Sequence, residues 1–378
     1  MNLNNRILKF VSFTVISISC GHVAAQSIGP VDSKATPQTV HLYSNLKKLL
    51  AKGIMIGHQD DLAYGVNWKY EEGRSDIKDV TGDYPAVYGW ELGRLENDAA
   101  NNLDGVPFDK MKQFIKDAYN RGGVITISWH LNNPLTGKPA WDPAPAGSVA
   151  SALPGGEKNE LYKSWLDKVA TFMQGLKGKN GELIPVIFRP FHELNGSWFW
   201  WGGKNCSPDE IKKLYQFTET YLRDVKAVHN LLYAFNTDRF ATKEEYLERY
   251  PGDEYVDIVG FDIYQRGADN EKYMAEFDRT LTTLETIAKE KDKIPALTEF
   301  GYGTLPDSTW WTNVFGKVLQ THHVAYALAW RNAGHKSAIE TEFYVPYTGQ
   351  SSAEDFKKFC DSKQILLQQD VTKMKLYK

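Results

Sequence analysis

The sequence predicts an α/β protein folded as a single (β/α)8 barrel. The chain has 378 residues, of which 42% are hydrophobic, so it can bury a large core. Eight short apolar segments alternate with helical or loop segments, which is the number of strands in a closed parallel barrel. The length alone would allow two or three domains, but no change in composition and no solenoid-length repeat divides the chain, and barrels often run this long.

Each predicted strand is an apolar run bounded by turn residues, as expected for strands buried on both faces. A helix precedes the first strand; it begins at Thr36 as the cap, with Pro37 in the first position, and ends at Gly53. The eight strands are predicted at 54–58, 86–90, 124–129, from 185 into Arg189, and at 231–235, 256–263, 294–298 and 324–330.

The connecting segments carry helix signals. Residues 107–121 have apolar residues at helical spacing, and Ser207 opens a capping box with Glu210 three residues later. The remaining helices are predicted at about 157–176, 208–228, 271–291 and 307–321, with a closing helix from about 353. The segment 131–156 is predicted to be a long loop, and loops of this length in a compact domain usually have a function.

Polar and aromatic residues stand where the predicted strands end. Barrel enzymes carry their reacting groups on the loops that follow the strands, so these residues are the candidates for chemistry. In chain order they are His58, Trp90-Glu91, His130, His192-Glu193, Asn236, Tyr264, Glu299 and Trp330-Arg331.

The stretch 185–201, PVIFRPFHELNGSWFWW, holds the strongest of these signals. Its strand ends at Glu193, and the seventh strand delivers a second carboxylate, Glu299. Glycoside hydrolysis needs one carboxylic acid to protonate the leaving oxygen and one carboxylate to attack the sugar or activate water, and a separation of about 5–5.5 Å gives retention. The neighbouring tryptophans should raise the pKa of Glu193, whereas Arg189 or Tyr264 could keep Glu299 ionised.

Each of these residues also has a purely structural interpretation. A single glutamate after a strand is more often a helix cap or a surface charge, and His192 could be a core histidine. Residues 198–201 should be core in part; we expect Trp198 to face a sugar and at least one neighbour to pack inward. Asp257 and Asp262 are interpreted as structural. Two glutamates at the fourth and seventh strands favour the catalytic interpretation.

Composition excludes several other functions. The net charge is −3 and no basic block occurs, which disfavours nucleic-acid binding. Aromatic residues make up 13% of the chain, and tryptophan and tyrosine suit stacking on sugars. Neither Cys206 nor Cys360 has a partner at metal-ligand spacing, which disfavours a zinc site built on cysteine. We expect no metal and no cofactor. Whether these two cysteines form a disulfide stays open.

The first 25 residues are predicted to be a secretory signal. Two basic residues precede the apolar run 10–19, which is too short to span a bilayer, and Val-Ala-Ala ends at Ala25 as a small-residue cleavage site. Residues 26–378 would then form the catalytic domain of an exported protein, periplasmic or secreted. Lipidation at Cys20 is the alternative.

These motifs resemble glycoside hydrolase family 26, mainly β-mannanases. The resemblance covers about residues 40–350 and lies in RPFHELNGSWFWWG, TEFG, DIYQ, SWHLNNP and AWRNA, with His192-Glu193 the most specific element. It implies that Glu193 is the acid/base, Glu299 the nucleophile, and Tyr264 a hydrogen-bond donor to the nucleophile. It further implies that the sugar subsites are lined by His130, Trp141, His192, Trp198, Trp330 and Arg331.

The residues and this resemblance together predict a retaining β-1,4-mannanase, a glycosidase of the mannan endo-1,4-β-mannosidase type. It would act on β-mannan, galactomannan or manno-oligosaccharides, as a monomer without a membrane span. Within the same family, mixed-linkage glucan and β-1,3-xylan remain alternative substrates. Two other classes of protein are alternatives. One is a barrel metallohydrolase using His58, His130 and His192, and the other is a glycan-binding envelope protein that uses only the tryptophans. Endo or exo action and the tolerance of galactose branches stay open.

Overall fold

A computed structural model describes residues 29–143, 146–333 and 342–378. The predicted signal, with Cys20 and the cleavage site, lies outside the described residues. Eight parallel strands pair in chain order, and the eighth pairs with the first, which closes the barrel and confirms the predicted fold. The strands are β1 (Ile54–Gln59), β2 (Val87–Glu91), β3 (Val124–Trp129), β4 (Val186–Pro190), β5 (Leu231–Asp238), β6 (Ile258–Gln265), β7 (Ile294–Tyr302) and β8 (Tyr326–Ala329).

Helices surround the barrel. The described helices are α1 (Pro37–Leu49), α2 (Asp76–Thr81), α3 (Phe108–Asn120), α4 (Ser148–Ala152), α5 (Asn159–Gly175), α6 (Pro208–Thr220), α7 (Lys243–Leu247), α8 (Asn270–Lys291), α9 (Gly316–Leu319), α10 (Ala353–Cys360) and α11 (Gln368–Met374). Two predicted helices are less regular than the sequence indicated, because π-helical turns at Tyr221–Val225 and Trp311–Phe315 follow α6 and precede α9. Among the described helices, none combines the length and apolar character needed to cross a membrane.

The predicted helix signals are present in the structure. Thr36 caps α1 through its side chain, although that helix ends at Leu49 and not at Gly53. Ser207 and Glu210 form both hydrogen bonds of a capping box at the start of α6. These caps fix the residue at which each helix begins. The loop before α6 carries the aromatic run at 198–201.

Several short elements were not predicted from the sequence. A hairpin pairs Tyr64–Gly65 with Trp68–Lys69 after β1, and the predicted long loop 131–156 contains α4. A two-residue strand, β9 (Ile365–Leu366), pairs in parallel with the start of β1. Cys206 and Cys360 are both free thiols.

A cluster of apolar side chains fills the barrel interior, and every strand contributes to it, for example Met55 of β1 and Ile187 of β4. α1 and the C-terminal segment close its lower end, because Leu46 and Leu376 belong to the same cluster. A second, larger cluster lies mainly between the strands and the outer helices. Apolar packing thus occupies the lower part of the barrel, and the polar groups lie at the carboxyl ends of the strands.

Candidate active site

Glu193 and Glu299 meet at the carboxyl-end rim of the barrel. Glu193 is the third residue after β4, and Glu299 lies within β7. One oxygen of each carboxylate and one oxygen of Asp262 lie within 4.8 Å of one another. Two carboxyl groups at this separation can both reach the same glycosidic bond.

Glu299 is held by donors on both of its oxygens. The Tyr264 hydroxyl donates to Oε2 at 2.7 Å, and the Arg189 guanidinium donates to Oε1. Arg189 is buried and also donates to Asn236 and, at 3.3 Å, to Asp262. Burial alone would lower the pKa of Arg189, but Glu299 and Asp262 outweigh it and raise the pKa. Glu299 is therefore a fixed, charge-paired carboxylate.

A β-bulge in β7 determines where Glu299 points. The pairing of β6 with β7 runs Phe261 to Leu297 and then Asp262 to Glu299, so Thr298 is the extra residue. Ala296 belongs to the barrel interior, and strict alternation would turn Glu299 toward the helices. The bulge shifts the alternation by one residue, so Glu299 faces the rim.

Glu193 lies in a different environment from Glu299. Its Oε2 accepts a hydrogen bond of 2.7 Å from the Trp198 indole nitrogen. Burial, followed by the charges of Glu299 and Asp238, raises the pKa of Glu193 to about 8. The raised pKa lets Glu193 hold a proton near neutral pH, as a catalytic acid must.

The backbone around Glu193 has an uncommon conformation. Phe191 and Glu193 have φ angles of +53° and +52°, in the left-handed region that non-glycine residues rarely adopt. Each such residue costs on the order of 1 kcal/mol, and such strain is concentrated at functional sites. The conformation turns the chain sharply after β4.

A hydrogen-bonded chain runs beside the two glutamates. His192 Nε2 lies 3.0 Å from His130 Nε2, and His130 Nδ1 lies 2.8 Å from Glu91 Oε2. Glu91 is buried and also accepts from the Ser128 hydroxyl at 2.6 Å. Burial opposes a charged His130, but Glu91 outweighs this effect and raises its pKa, whereas burial and then His130 lower the pKa of His192.

Aromatic rings form the walls of the rim. Trp141 stacks on the His130 ring at 5.0 Å and is 50% exposed, and Trp198 is 39% exposed. The neighbours Trp200 and Trp201 are fully buried, so the expected inward packing of the aromatic run is confirmed. The two exposed indoles leave flat apolar surface open to solvent, as sugar stacking requires.

The other predicted residues occupy different positions. Trp330 approaches His130 edge-on at 6.4 Å. Arg331 pairs with Asp104 at 3.1 Å and with Glu342 at 3.2 Å, farther along the rim. His58 lies in β1, is buried, and pairs with Asp61 at 2.8 Å.

Three residues near the two glutamates were not assigned a role in the site from the sequence. Glu91 stood at a strand end but was not assigned a role, and Asp104 was not considered. Asp262 was interpreted as structural, yet it contacts Arg189 and lies beside both glutamates. Asp257 does have a structural role, since it accepts backbone hydrogen bonds from Val31 and Tyr233. For Asp262, the available signal was the need of the buried Arg189 on β4 for a carboxylate partner, which Asp262 supplies from β6, two strands away.

One group of ligand-type side chains in the described ranges could hold a cation by composition, namely Glu193, Asp262 and Glu299. Arg189 already donates to two of these carboxylates, and Trp198 donates to the third. A bound cation would have to compete with those donors. The three histidines of the metallohydrolase alternative do not form such a group among the described residues.

The rim of this barrel brings together one carboxyl group that holds a proton and one that is paired with a charge, and exposed indoles surround them. This architecture defines the class of the two-carboxylate glycosidases. Sequence comparison places the chain within that class: it belongs to glycosyl hydrolase family 26, whose family model matches residues 31–342.

Individual relatives agree with the family. A structure of a GH26 β-mannanase from Bacteroides ovatus is 45% identical, with a TM-score of 0.87, and the match covers 91% of this chain and 98% of that one. A modular endo-β-1,4-mannanase from Cellulomonas fimi is 34% identical with a TM-score of 0.82, covering 91% and 78%. A mannan endo-1,4-β-mannosidase from Bifidobacterium adolescentis is 34% identical over 90% of this chain, but this chain spans only 36% of that protein.

Proposed function

We propose that this protein is a retaining endo-1,4-β-mannosidase that hydrolyses β-mannan or galactomannan. The observation that carries the proposal is the pair of carboxyl groups at the rim, with oxygens within 4.8 Å of each other. The pKa of Glu193 is raised, and Glu299 accepts hydrogen bonds from Arg189 and Tyr264. That separation is too short to place a water molecule between acid and base and suits a covalent intermediate. Family membership and the mannanases among the relatives support the choice of mannan.

In the proposed mechanism Glu193 acts first as the acid and Glu299 as the nucleophile. Glu193 gives its proton to the glycosidic oxygen while Glu299 attacks C1, which leaves a glycosyl ester on Glu299. Glu193, now ionised, then takes a proton from a water molecule that attacks C1 and releases the sugar. Arg189 and Tyr264 keep the Glu299 oxygens aligned throughout, because both donors lie on strands of the barrel, β4 and β6.

The remaining rim residues would bind the sugar. Mannose carries an axial 2-hydroxyl, and the site must accept a distorted ring whose 2-position points differently from that of glucose. His192 is a suitable contact, because its Nδ1 is buried and has no hydrogen-bond partner within the described residues. His130, Trp141, Trp198, Trp330 and Arg331 would line the subsites.

Replacement of each glutamate tests the assignment. We expect Glu193→Ala and Glu299→Ala to lose nearly all turnover of mannan, on the order of 10³-fold or more, since each removes a group that bonds or donates in the transition state. The measurement is reducing-sugar release, and NMR of the first product reports the anomeric configuration. Near-normal turnover in either variant, or an inverted first product, would contradict the proposal.

Parallel substrates separate the alternatives. Mannan, galactomannan, mixed-linkage glucan and β-1,3-xylan are assayed side by side, and mannan should give the fastest release. A faster rate on glucan or xylan would reassign the substrate within the family, and binding without any release would indicate a glycan-binding protein. A chelator arm tests the metallohydrolase alternative, which requires loss of turnover when metal is removed.

We also propose that residues 1–25 direct export and are removed after Ala25, which releases residues 26–378 to the periplasm or the medium as a monomer. The basic start, the short apolar run and the small residues before the cleavage site support this. Mass spectrometry of the exported protein tests it. A lipid-modified N-terminal Cys20 would instead place the enzyme on a membrane surface.

A further inference from the structure

Trp198 contacts Glu193 directly. The indole Nε1–H, which is the single polar group of this side chain, donates to Glu193 Oε2 at 2.7 Å. The ring itself is 39% exposed at the rim. Trp198 therefore has two distinct features, an apolar face open to the cleft and a hydrogen bond to the carboxyl group that we assign as the acid/base.

The loop between the two residues is built to bring them together. The chain turns at Glu193, and the Gly196 amide donates to the Glu193 carbonyl oxygen at 2.9 Å. A Cβ atom on Gly196 would lie 2.3 Å from the Trp198 ring, much closer than real contacts allow. The glycine thus lets the indole fold back across the turn and reach the carboxyl group.

The indole N–H gives the two oxygens of Glu193 different hydrogen-bonding roles. An indole N–H can donate but cannot accept, so Oε2 must be the acceptor in this bond. We infer that Trp198 is a positioning residue for proton transfer, whose indole N–H keeps Oε2 as an acceptor and confines the transferable proton of Glu193 to Oε1. The inference rests on the proposed function, since it assumes that Glu193 is the acid/base.

The contact strengthens as the reaction proceeds. In the first step the Oε1–H bond breaks, the proton goes to the glycosidic oxygen, and that oxygen keeps the electron pair of the C1–O bond while Glu299 bonds to C1. Glu193 becomes a carboxylate, and the indole bond becomes charge-assisted. In the second step a water oxygen bonds to C1, the C1–O bond to Glu299 breaks with its electron pair staying on Glu299, and Oε1 accepts the proton of the water. Because the bond is stronger to the ionised form, it favours the transition state over the ground state.

The groups that surround Glu193 stay in place when Trp198 is changed. Carboxylates face it from β7, from the end of β5 and from within β6, a tyrosine faces it from β6, and a histidine faces it from the β3 end. These residues are Glu299, Asp238, Asp262, Tyr264 and His130. A change in proton affinity after replacement of Trp198 therefore reports the lost indole bond.

The test is the pH profile of kcat/KM on soluble galactomannan from pH 5 to 10 for Trp198→Phe and Gly196→Ala. The first variant removes the N–H, and the second keeps the indole but displaces it. A hydrogen bond to the charged form lowers a carboxyl pKa, so its loss should move the alkaline limb upward by about one pH unit in both variants. A fall in kcat/KM with an unmoved alkaline limb in both variants would overturn the inference, because lost stacking alone gives that result.

Trp141→Phe is the matched control. It also replaces an exposed indole at the rim with a smaller ring. The Trp141 ring, however, stacks on His130 at 5.0 Å, a different residue from the one that Trp198 contacts. We expect a lower kcat/KM and an unmoved alkaline limb; an equal shift would show that the effect is not specific to Trp198, and would overturn the inference. Far-UV circular dichroism confirms that the variants are folded. If the unaltered protein releases no sugar, the proposed function fails, whereas an active protein with unmoved profiles refutes the inference alone.

Discussion

At the residue scale, the charge of His130 follows from its two neighbours. Its Nδ1 must carry a proton to bond the Glu91 carboxylate, and the 3.0 Å contact between His130 Nε2 and His192 Nε2 needs one further proton. The pKa of His130 is raised and that of His192 is lowered, so this proton belongs to His130. His192 is then neutral, with its hydrogen on Nδ1.

The raised pKa of Glu193 should appear in the pH dependence of stability. Its pKa is about 8 when folded, because burial and then Glu299 disfavour the charge, against about 4.5 when unfolded. Between these values the folded state holds the extra proton, so Glu193 lowers stability as the pH rises from about 4.5 to about 8, and its cost is constant above that. Glu193→Gln mimics the protonated form and is free of this cost.

We therefore expect the Tm of Glu193→Gln to exceed that of the unaltered protein by a margin that grows between pH 5 and pH 9, by at least about 2 °C. Differential scanning calorimetry at both pH values measures it. Glu354→Gln, which makes the same substitution at an exposed glutamate in the first turn of α10, is the control. An equal margin for Glu193→Gln at the two pH values would show that Glu193 titrates normally.

At the scale of elements, Asp76 joins the hairpin after β1 to the loop after β8. Its carboxylate accepts from the Val66 amide at 2.8 Å, the Trp68 indole at 2.7 Å and the Asn332 side chain at 2.8 Å. Asn332 directly follows the rim residues Trp330 and Arg331 in the chain. Two segments that are far apart in sequence are thus held by one buried side chain.

Replacement of Asp76 by alanine should weaken both the fold and the site. Three buried donors lose their acceptor, and each unsatisfied donor costs about 1–3 kcal/mol, so we expect the free energy of unfolding to fall by at least about 3 kcal/mol. We also expect kcat/KM to fall, because the loop of Trp330 and Arg331 is released. Urea unfolding and steady-state assays on mannan are the measurements.

Asp79→Ala provides the comparison for Asp76. Asp79 lies on the same helix, α2, but pairs with Arg74 at the surface, and such pairs contribute at most about 1 kcal/mol. It should leave kcat/KM unchanged. If both variants lost the same amount of stability, the three contacts of Asp76 would not hold the two loops.

At the scale of the whole molecule, the barrel could be predicted because each of its strands is a short apolar run with its own stop signals. Val124–Trp129 was predicted with its observed bounds. The hairpin and β9 were not predicted, because two-residue strands are fixed by partners distant in the chain and not by their own pattern. The π-helical turns were missed for a different reason, since their residues lie in segments with ordinary helical spacing.

The site was predictable only in part. Glu193 and Glu299 were found because carboxylates at strand ends are visible in the sequence. The bulge at Thr298 was not visible, although strict alternation would have turned Glu299 away from the rim. The Glu91–His130–His192 chain depends on the side-by-side placement of β2, β3 and β4, which the sequence gives only once the barrel order is known.

The C-terminal segment completes the barrel. β9 pairs with β1, and Leu366, Val371 and Leu376 belong to the cluster inside the barrel together with residues of all eight strands. The Tyr377 hydroxyl donates to the Gly123 carbonyl oxygen at 2.7 Å, just before β3. The last residues therefore act as the floor of the barrel and not as a tail.

Removal of residues 362–378 should prevent stable folding. The three apolar side chains each contribute about 1.5–3 kcal/mol through burial, which together is comparable to the whole stability of an ordinary domain of about 5–15 kcal/mol. We expect the truncated chain to lack a cooperative thermal transition and to release no sugar from mannan. Lys373→Ala, on α11 in the same segment, should keep both properties, because its exposed ammonium lies outside the cluster. A truncated protein that melted cooperatively within a few degrees of the full chain would show that α1 closes the barrel alone.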